Sequence, residues 1–348
     1  MNSYPLLSML VKTSASAVLA AAAFICPPLM ANDLSAQIEQ ENSGRDNAAE
    51  IASTLAPPIA PLLQDFTVDR TNRLTVPVTI NDGKSFPFIV DTGSERTVIS
   101  QELAQYLNLD SGEMLRLATV SGPATVNSYL IDKLTTATFS IEDIEAPGLK
   151  QQNLGAHGLL GIDSLEENKI FLDFTKGEMQ VLPSEKKRSA GKLERGMIVV
   201  TARRKAGRMI LSNARVNGAL VDIVIDTGAQ SSMGNYKLRD LLRRRDRKGE
   251  YQDVEMKSVI GDVLTGQFTQ LRSIEIGGVT IKDLPITFSE NYAMKTLGLE
   301  DKPAIFLGMD ALGLFDKVVI DFTNRRISFE LPKGSRLQSS NRFAVLRP

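Results

Sequence analysis

From about residue 66 onward the chain is a succession of short apolar runs broken by turn residues. Residues 74–80 are apolar at every second position, the pattern of a half-buried strand. Asn81-Asp82-Gly83 reads as a hairpin turn, with Asp-Gly supplying the positive φ that a tight turn needs. Residues 86–90 return as a continuous apolar strand. A short helix is expected over residues 101–107, capped by Ser100. Strands then follow over residues 114–120, 124–134 and 137–141, with a turn at Ser121-Gly122-Pro123. The block Leu159-Leu160-Gly161 precedes a last strand over residues 170–175.

The same order returns downstream. Residues 209–216, a turn at Asn217-Gly218 and residues 220–225 rebuild the first hairpin, and a helix with a basic face is expected over 236–247. Residues 254–259, a turn at Gly261-Asp262 and residues 263–270 repeat the strand–turn–strand unit. Phe306-Leu307-Gly308 echoes Leu159-Leu160-Gly161, and residues 319–323 echo 172–175. Four blocks in one order indicate an internal duplication with one modest insertion. Gly161 lies 70 residues after Asp91, and Gly308 lies 82 after Asp226. So many short strands predict an all-β fold with short helices, in two related lobes. The expected boundaries are lobes over 66–184 and 196–335, a charged linker over 185–195 and a tail over 336–348.

The chemistry sits where the two hairpins end. The apolar run 86–90 leads into Asp91-Thr92-Gly93-Ser94, and 221–225 leads into Asp226-Thr227-Gly228-Ala229. Other mechanisms lack their parts. One Cys and one His among 348 residues exclude a zinc cluster, which needs three or four such ligands. A Ser-His-Asp mechanism would rest wholly on His157, with no Gly-x-Ser-x-Gly elbow; a loop histidine is the plainer reading. Forty Lys and Arg against 41 Asp and Glu give no electrostatic case for nucleic acid. The basic run over residues 243–248 reads as a solvated helix face.

On the paired Asp-Thr-Gly motifs and paired hydrophobic-hydrophobic-Gly blocks, the chain resembles the retropepsin-like aspartic peptidases in a fused two-copy form, over residues 66–332. The resemblance implies two acid-protease β-barrel lobes with the active site between them and Asp91 and Asp226 as the catalytic pair. It implies that Leu159-Leu160-Gly161 and Phe306-Leu307-Gly308 run behind the catalytic loops. It also implies two flaps, with tips at Ser121, Gly122, Gly261 and Asp262, over an extended peptide or protein substrate. Tyr129 lies too far past the first tip to serve as a flap tyrosine.

Two adjacent carboxylates cannot both ionise cheaply, so such a pair holds one proton over a wide pH range and works by general acid–base catalysis on water. No metal or organic cofactor is needed. Thr92 and Thr227 are expected to bond the opposite loop's backbone, and Gly93 and Gly228 to leave room for close approach. Ser94 is expected to donate to Asp91, which Ala229 cannot do for Asp226. Asp91 should then be the more acidic partner and Asp226 the proton holder, and Ala229→Ser should move the pH–rate profile toward acid. Asp163 and Asp310 are expected to cap a following helix or turn, and Asp173 and Asp321 to make structural bonds.

The first 31 residues read as a secretory signal. Lys12 precedes an apolar stretch over 15–25, and Leu29-Met30-Ala31 offers a cleavage site before Asn32. This predicts export, to a bacterial periplasm, of a chain left without cysteine; Cys26 is a poor lipidation site because Ile25 is bulky. An uncleaved anchor is the alternative, and membrane contact would follow only from it. Residues 32–65 read as a flexible leader, with a short helix over 48–55, serving as a spacer or as a pro-segment. The protein is expected to be a monomeric aspartic endopeptidase acting on exported proteins, broadly or on one regulatory partner. The competing reading is an idle peptide-binding module of the same fold.

Overall fold

The computed structural model describes residues 64–65, 67–68, 74–186, 196–245, 249–333, 335, 337–338 and 343–346. The signal sequence, the 48–55 helix and most of the 185–195 linker lie outside the described residues. Among the described residues the chain is mostly strand, with six short helices: α1 (Gln101–Tyr106), α2 (Gln151–Leu154), α3 (Ile162–Leu165), α4 (Tyr236–Arg245), α5 (Tyr292–Thr296) and α6 (Met309–Leu312). None is long and apolar enough to cross a membrane.

Local signals account for most of these elements. Leu74–Ile80 forms as its alternation requires, burying Leu74, Val76, Val78 and Ile80. Ser100 caps α1 by accepting from the Leu103 amide at 3.1 Å. Asn217 and Gly218 make the expected two-residue turn, at φ 46° and 78°. The first hairpin differs in detail. Its positive φ angles fall on Asn81 (48°) and Asp82 (54°) rather than on Gly83, and the Gly83 amide closes the turn on the Ile80 carbonyl at 3.0 Å. Asn and Asp tolerate the left-handed region, so the turn sits one residue earlier than an Asp-Gly turn would.

Each half builds its own sheet, of eight strands in the first and twelve in the second. A third sheet of six strands belongs to both halves. Asn168–Asp173 and Glu178–Pro183 of the first half join Lys317–Asp321 and Arg326–Glu330 of the second, with Phe171 opposite Val319. This seam carries Asp173 and Asp321. Asp173 accepts from the Thr175 hydroxyl at 2.6 Å, and Asp321 from the Ser184 hydroxyl at 2.7 Å. The halves are therefore stitched into one body rather than joined only by a tether.

Two ends extend further into the fold than their composition indicates. Gln64–Asp65, placed by sequence in the flexible leader, pairs with Met179 and Glu178 at the edge of the shared sheet. In the expected tail, Phe343–Leu346 runs parallel to Val279–Ile281 and buries Leu346. Both segments are too short for a periodic signal, and an open sheet edge recruits them by satisfying their backbone groups.

Candidate active site

Two strands deliver the two Asp-Thr-Gly loops. Ser85–Val90 and Ala219–Ile225 lie inside their sheets. Each runs parallel to the strand containing its Leu-Leu-Gly or Phe-Leu-Gly block, with Ile89 beside Leu159 and Val224 beside Phe306. The Asp91 amide donates to the Leu160 carbonyl at 3.0 Å, and the Asp226 amide to the Leu307 carbonyl at 3.1 Å. Gly161 and Gly308 turn the chain into α3 and α6, donating to the Thr97 and Ser232 hydroxyls at 3.1 Å each. The backing blocks thus hold both aspartates by their backbones.

The loops then lock across the lobe boundary. The Thr92 amide donates to Thr227 Oγ1, and the Thr227 amide to Thr92 Oγ1, both at 3.1 Å. The hydroxyls donate onward, from Thr92 to the Ile225 carbonyl at 2.9 Å and from Thr227 to the Val90 carbonyl at 2.7 Å. Every member of this knot is buried.

The carboxylates face each other through the glycines. A Cβ on Gly93 would fall 2.5 Å from the Asp226 Cγ, and one on Gly228 would fall 2.3 Å from the Asp91 Cγ. No other residue permits that approach. Each Asp Oδ1 also accepts two amides of its own loop: Gly93 and Ser94 for Asp91 at 2.8 and 3.0 Å, and Gly228 and Ala229 for Asp226 at 3.1 and 3.0 Å. Both aspartates are 0% exposed.

The fourth loop position does not act as its residue types indicate. Ser94 Oγ donates to the Arg96 carbonyl at 2.8 Å, not to Asp91. Its amide already serves the carboxylate, and its hydroxyl satisfies the turn beyond. The Asp226 pKa stands well above the ordinary carboxylate value. Burial is the main cause and the Asp91 charge the second, partly opposed by the Arg208 charge and by the Ala229 and Gly228 amides.

Arg208 is the residue that sequence reasoning missed. It begins the strand Arg208–Val216 in the second half and is 2% exposed. Its Nε donates to the Gly93 carbonyl at 2.7 Å, and one terminal nitrogen reaches Glu95 at 2.6 Å. A second-lobe cation thereby holds the first lobe's loop. A signal existed in the chain: Arg73 stands 18 residues before Asp91, as Arg208 stands 18 before Asp226.

Asp163 and Asp310 take amides at the start of their helices, as expected of caps: Asp163 accepts from the Ser164 amide at 2.8 Å and Asp310 from the Ala311 amide. They lie in the first turns of α3 and α6 and also bind back to the residues just before the strands that follow the catalytic loops. Asp163 accepts from the Thr97 amide at 2.9 Å and hydroxyl at 2.8 Å. Asp310 accepts from the Ser232 amide at 2.9 Å and hydroxyl at 2.7 Å. Burial raises the Asp310 pKa to about 6. His157 lies beside the Phe86 ring, centroids 5.4 Å apart, and burial lowers its pKa.

The strand–turn–strand units close over the dyad from both sides. Their turns place Gly122 at φ 143° and Gly261 at φ 98°. The tips meet, Ser121 Oγ donating to Asp262 Oδ2 at 2.8 Å. Each tip also buries a valine in the other lobe's territory. Val120 packs with Ala229 and Met233, while Val259 packs with Ile89, Val98 and Leu159. Among the described residues no group of three His, Cys, Asp or Glu side chains could hold a metal ion.

Comparison with known families agrees with this geometry. A model described as gag-polyprotein putative aspartyl protease matches residues 76–167, and one described as aspartyl protease matches residues 212–311. The first match spans Asp91 and Gly161, and the second spans Asp226 and Gly308. No curated protein sequence matches the chain. With one aspartyl protease domain in each half, the chain belongs to the retropepsin-like aspartic peptidases in their tandem, two-lobe form.

Proposed function

We propose that the protein is an aspartic endopeptidase that cuts extended segments of exported proteins, with Asp91 and Asp226 as a shared catalytic pair. The observation that carries this reading is the reciprocal packing of each carboxylate against the other loop's glycine. It brings two buried acids together. Such a pair holds one proton and one charge.

With a peptide bound, ionised Asp91 takes a proton from a water as its oxygen attacks the scissile carbonyl carbon. Protonated Asp226 donates to the carbonyl oxygen. The tetrahedral diol collapses as Asp91 returns a proton to the departing nitrogen and Asp226 takes back a proton from one hydroxyl, giving a free carboxyl and a free amine and restoring the starting protonation. These roles put the shared proton on Asp226, whose pKa burial and the Asp91 charge raise well above the ordinary carboxylate value. The flaps must lift to admit substrate, because the closed form leaves both acids without solvent contact. An extended peptide then lies beneath them, pairing with strand edges. Export is inferred from the apolar stretch ahead of Leu29-Met30-Ala31.

Peptide-library cleavage by the protein from Asn32 onward, between pH 3 and 8, tests the reading. Cleavage within peptides, blocked by a pepstatin-type inhibitor, is the expected result. Intact peptides at every pH from folded protein would favour the idle peptide-binding module. Fractionating cells that express the full chain tests the export reading, and protein confined to the cytoplasm would refute it.

A further inference from the structure

The two lobes use equivalent surfaces differently. In the first lobe, Phe88, Val90 and Leu160 face the lobe core, while Ile89 and Leu159 face the flaps. In the second, Ile223, Ile225 and Leu307 face the core, and Val224 and Phe306 take the other side. That second surface is roofed by the chain's own insertion, through Met294, Leu297 and Leu299 in and beside α5. The Tyr292 amide at the start of α5 also donates to the Val120 carbonyl of the first flap at 3.1 Å. The first-lobe surface is closed only in part by its own chain, through Leu154 and Ala156 in and after the shorter helix α2. The opposite flap tip, Val259 with Ile260, completes the cover over Ile89, Val98, Leu149 and Leu159, beside Leu117 and Val126 of the first flap.

One polar side chain stands in this apolar setting. Asn153, in α2, is 4% exposed, and its Oδ1 is buried without a hydrogen-bond partner. It faces the flap tip: a Cβ built on Gly261 would come within 3.1 Å of Nδ2 and 3.7 Å of Oδ1. A buried amide oxygen without a donor is costly, and such groups call for an explanation.

We propose that Asn153 is a specificity-determining residue, in a pocket that Val259 and Ile260 plug when the flaps are closed. When the second flap lifts, the plug withdraws and leaves an apolar pocket with one acceptor, two residues along the strand from Asp91. It takes a substrate side chain with an apolar body and a donor at its end, tyrosine in preference to phenylalanine. The counterpart surface in the second lobe carries no unpartnered amide among the described residues, so the preference falls on one side of the scissile bond only. This inference rests on the peptidase reading proposed above for where the peptide lies.

The test compares peptides that differ only as Tyr or Phe at each position flanking the cut. The unmodified protein should favour Tyr about tenfold at one of those positions. Asn153→Leu removes the acceptor, with Asn153→Ala as a second form should leucine not fit, and either should bring the ratio to near one. Asn153→Asp keeps an acceptor and should keep the preference. A ratio near one in the unmodified protein, or a preference that survives both apolar substitutions, would overturn the proposal. The same peptide pairs are titrated onto Asp91→Asn protein, with and without Asn153→Leu. If nothing is cut but Tyr still binds better through Asn153, the peptidase reading fails and the pocket stands. If peptides are cut or bound without discrimination, the pocket fails alone.

Discussion

Arg208 of the second lobe donates to the Gly93 carbonyl and to Glu95 of the first, holding one catalytic loop with a cation from the other half. Arg208→Met should therefore act twice. Losing charge-assisted bonds at a buried site should cost about 2–3 kcal/mol of stability, read by denaturant unfolding. The Arg208 charge also holds the Asp226 pKa down. Without it Asp226 keeps its proton to higher pH, and the alkaline limb of the pH–rate profile should move upward. A limb that moves toward acid would show that the arginine does not act on the pair.

The threonine knot should be symmetric in energy as it is in geometry. Thr92→Val and Thr227→Val each remove one hydroxyl that both donates and accepts across the boundary. Each should cost about 2–4 kcal/mol, since a buried amide and a buried carbonyl lose their partners together. Thr→Ser at either position should recover most of the loss. A cost confined to one lobe would contradict the reciprocal lock.

Ala229→Ser now has a different expected outcome. The residue types alone predict an acid shift, but Ser94 shows that a hydroxyl at this position turns to the loop carbonyl beyond it. Ala229 is fully buried against Val120 and Met233. The expected result is an unmoved pH–rate profile and stability lowered by about 1 kcal/mol or more from burying a hydroxyl. An acid shift would restore the expectation from residue types.

These cases mark what the chain shows on its own. The strands ending in Asp91 and Asp226, the Asn217-Gly218 turn and the Ser100 cap follow from neighbours a few residues apart, so periodicity and turn chemistry reveal them. The Ser94 hydroxyl had two acceptors within reach, and only the folded loop chooses between them. Arg208 reaches Gly93 across 115 residues, a contact that no local pattern encodes. The spacing showed one modest insertion in the second half but not its place; the helix α5 between Phe288 and Ala304 is held by tertiary packing and by the Asn291 cap. Crossed flap tips, likewise, exist only once both lobes are assembled.

Asp310 gives a pH signature to stability. Its pKa rises on folding from 3.8 to about 6. Its contribution is therefore fully present below the unfolded value and is lost as pH climbs through 6. The loss amounts to about 2 kcal/mol between pH 4 and 7. Asp310→Asn cannot ionise, so its unfolding free energy should fall less steeply over that window. Parallel curves for the two proteins would place the ionisation elsewhere.

The most direct test of the shared pair is a single-turnover hydrolysis in water enriched in oxygen-18, run on the unmodified protein, Asp91→Asn and Asp226→Asn. One labelled oxygen should enter the new carboxyl group, and each substitution alone should slow the step by about a thousandfold or more. Either variant cutting at the unmodified rate, or a trapped covalent peptidyl–enzyme species, would contradict a dyad that activates water.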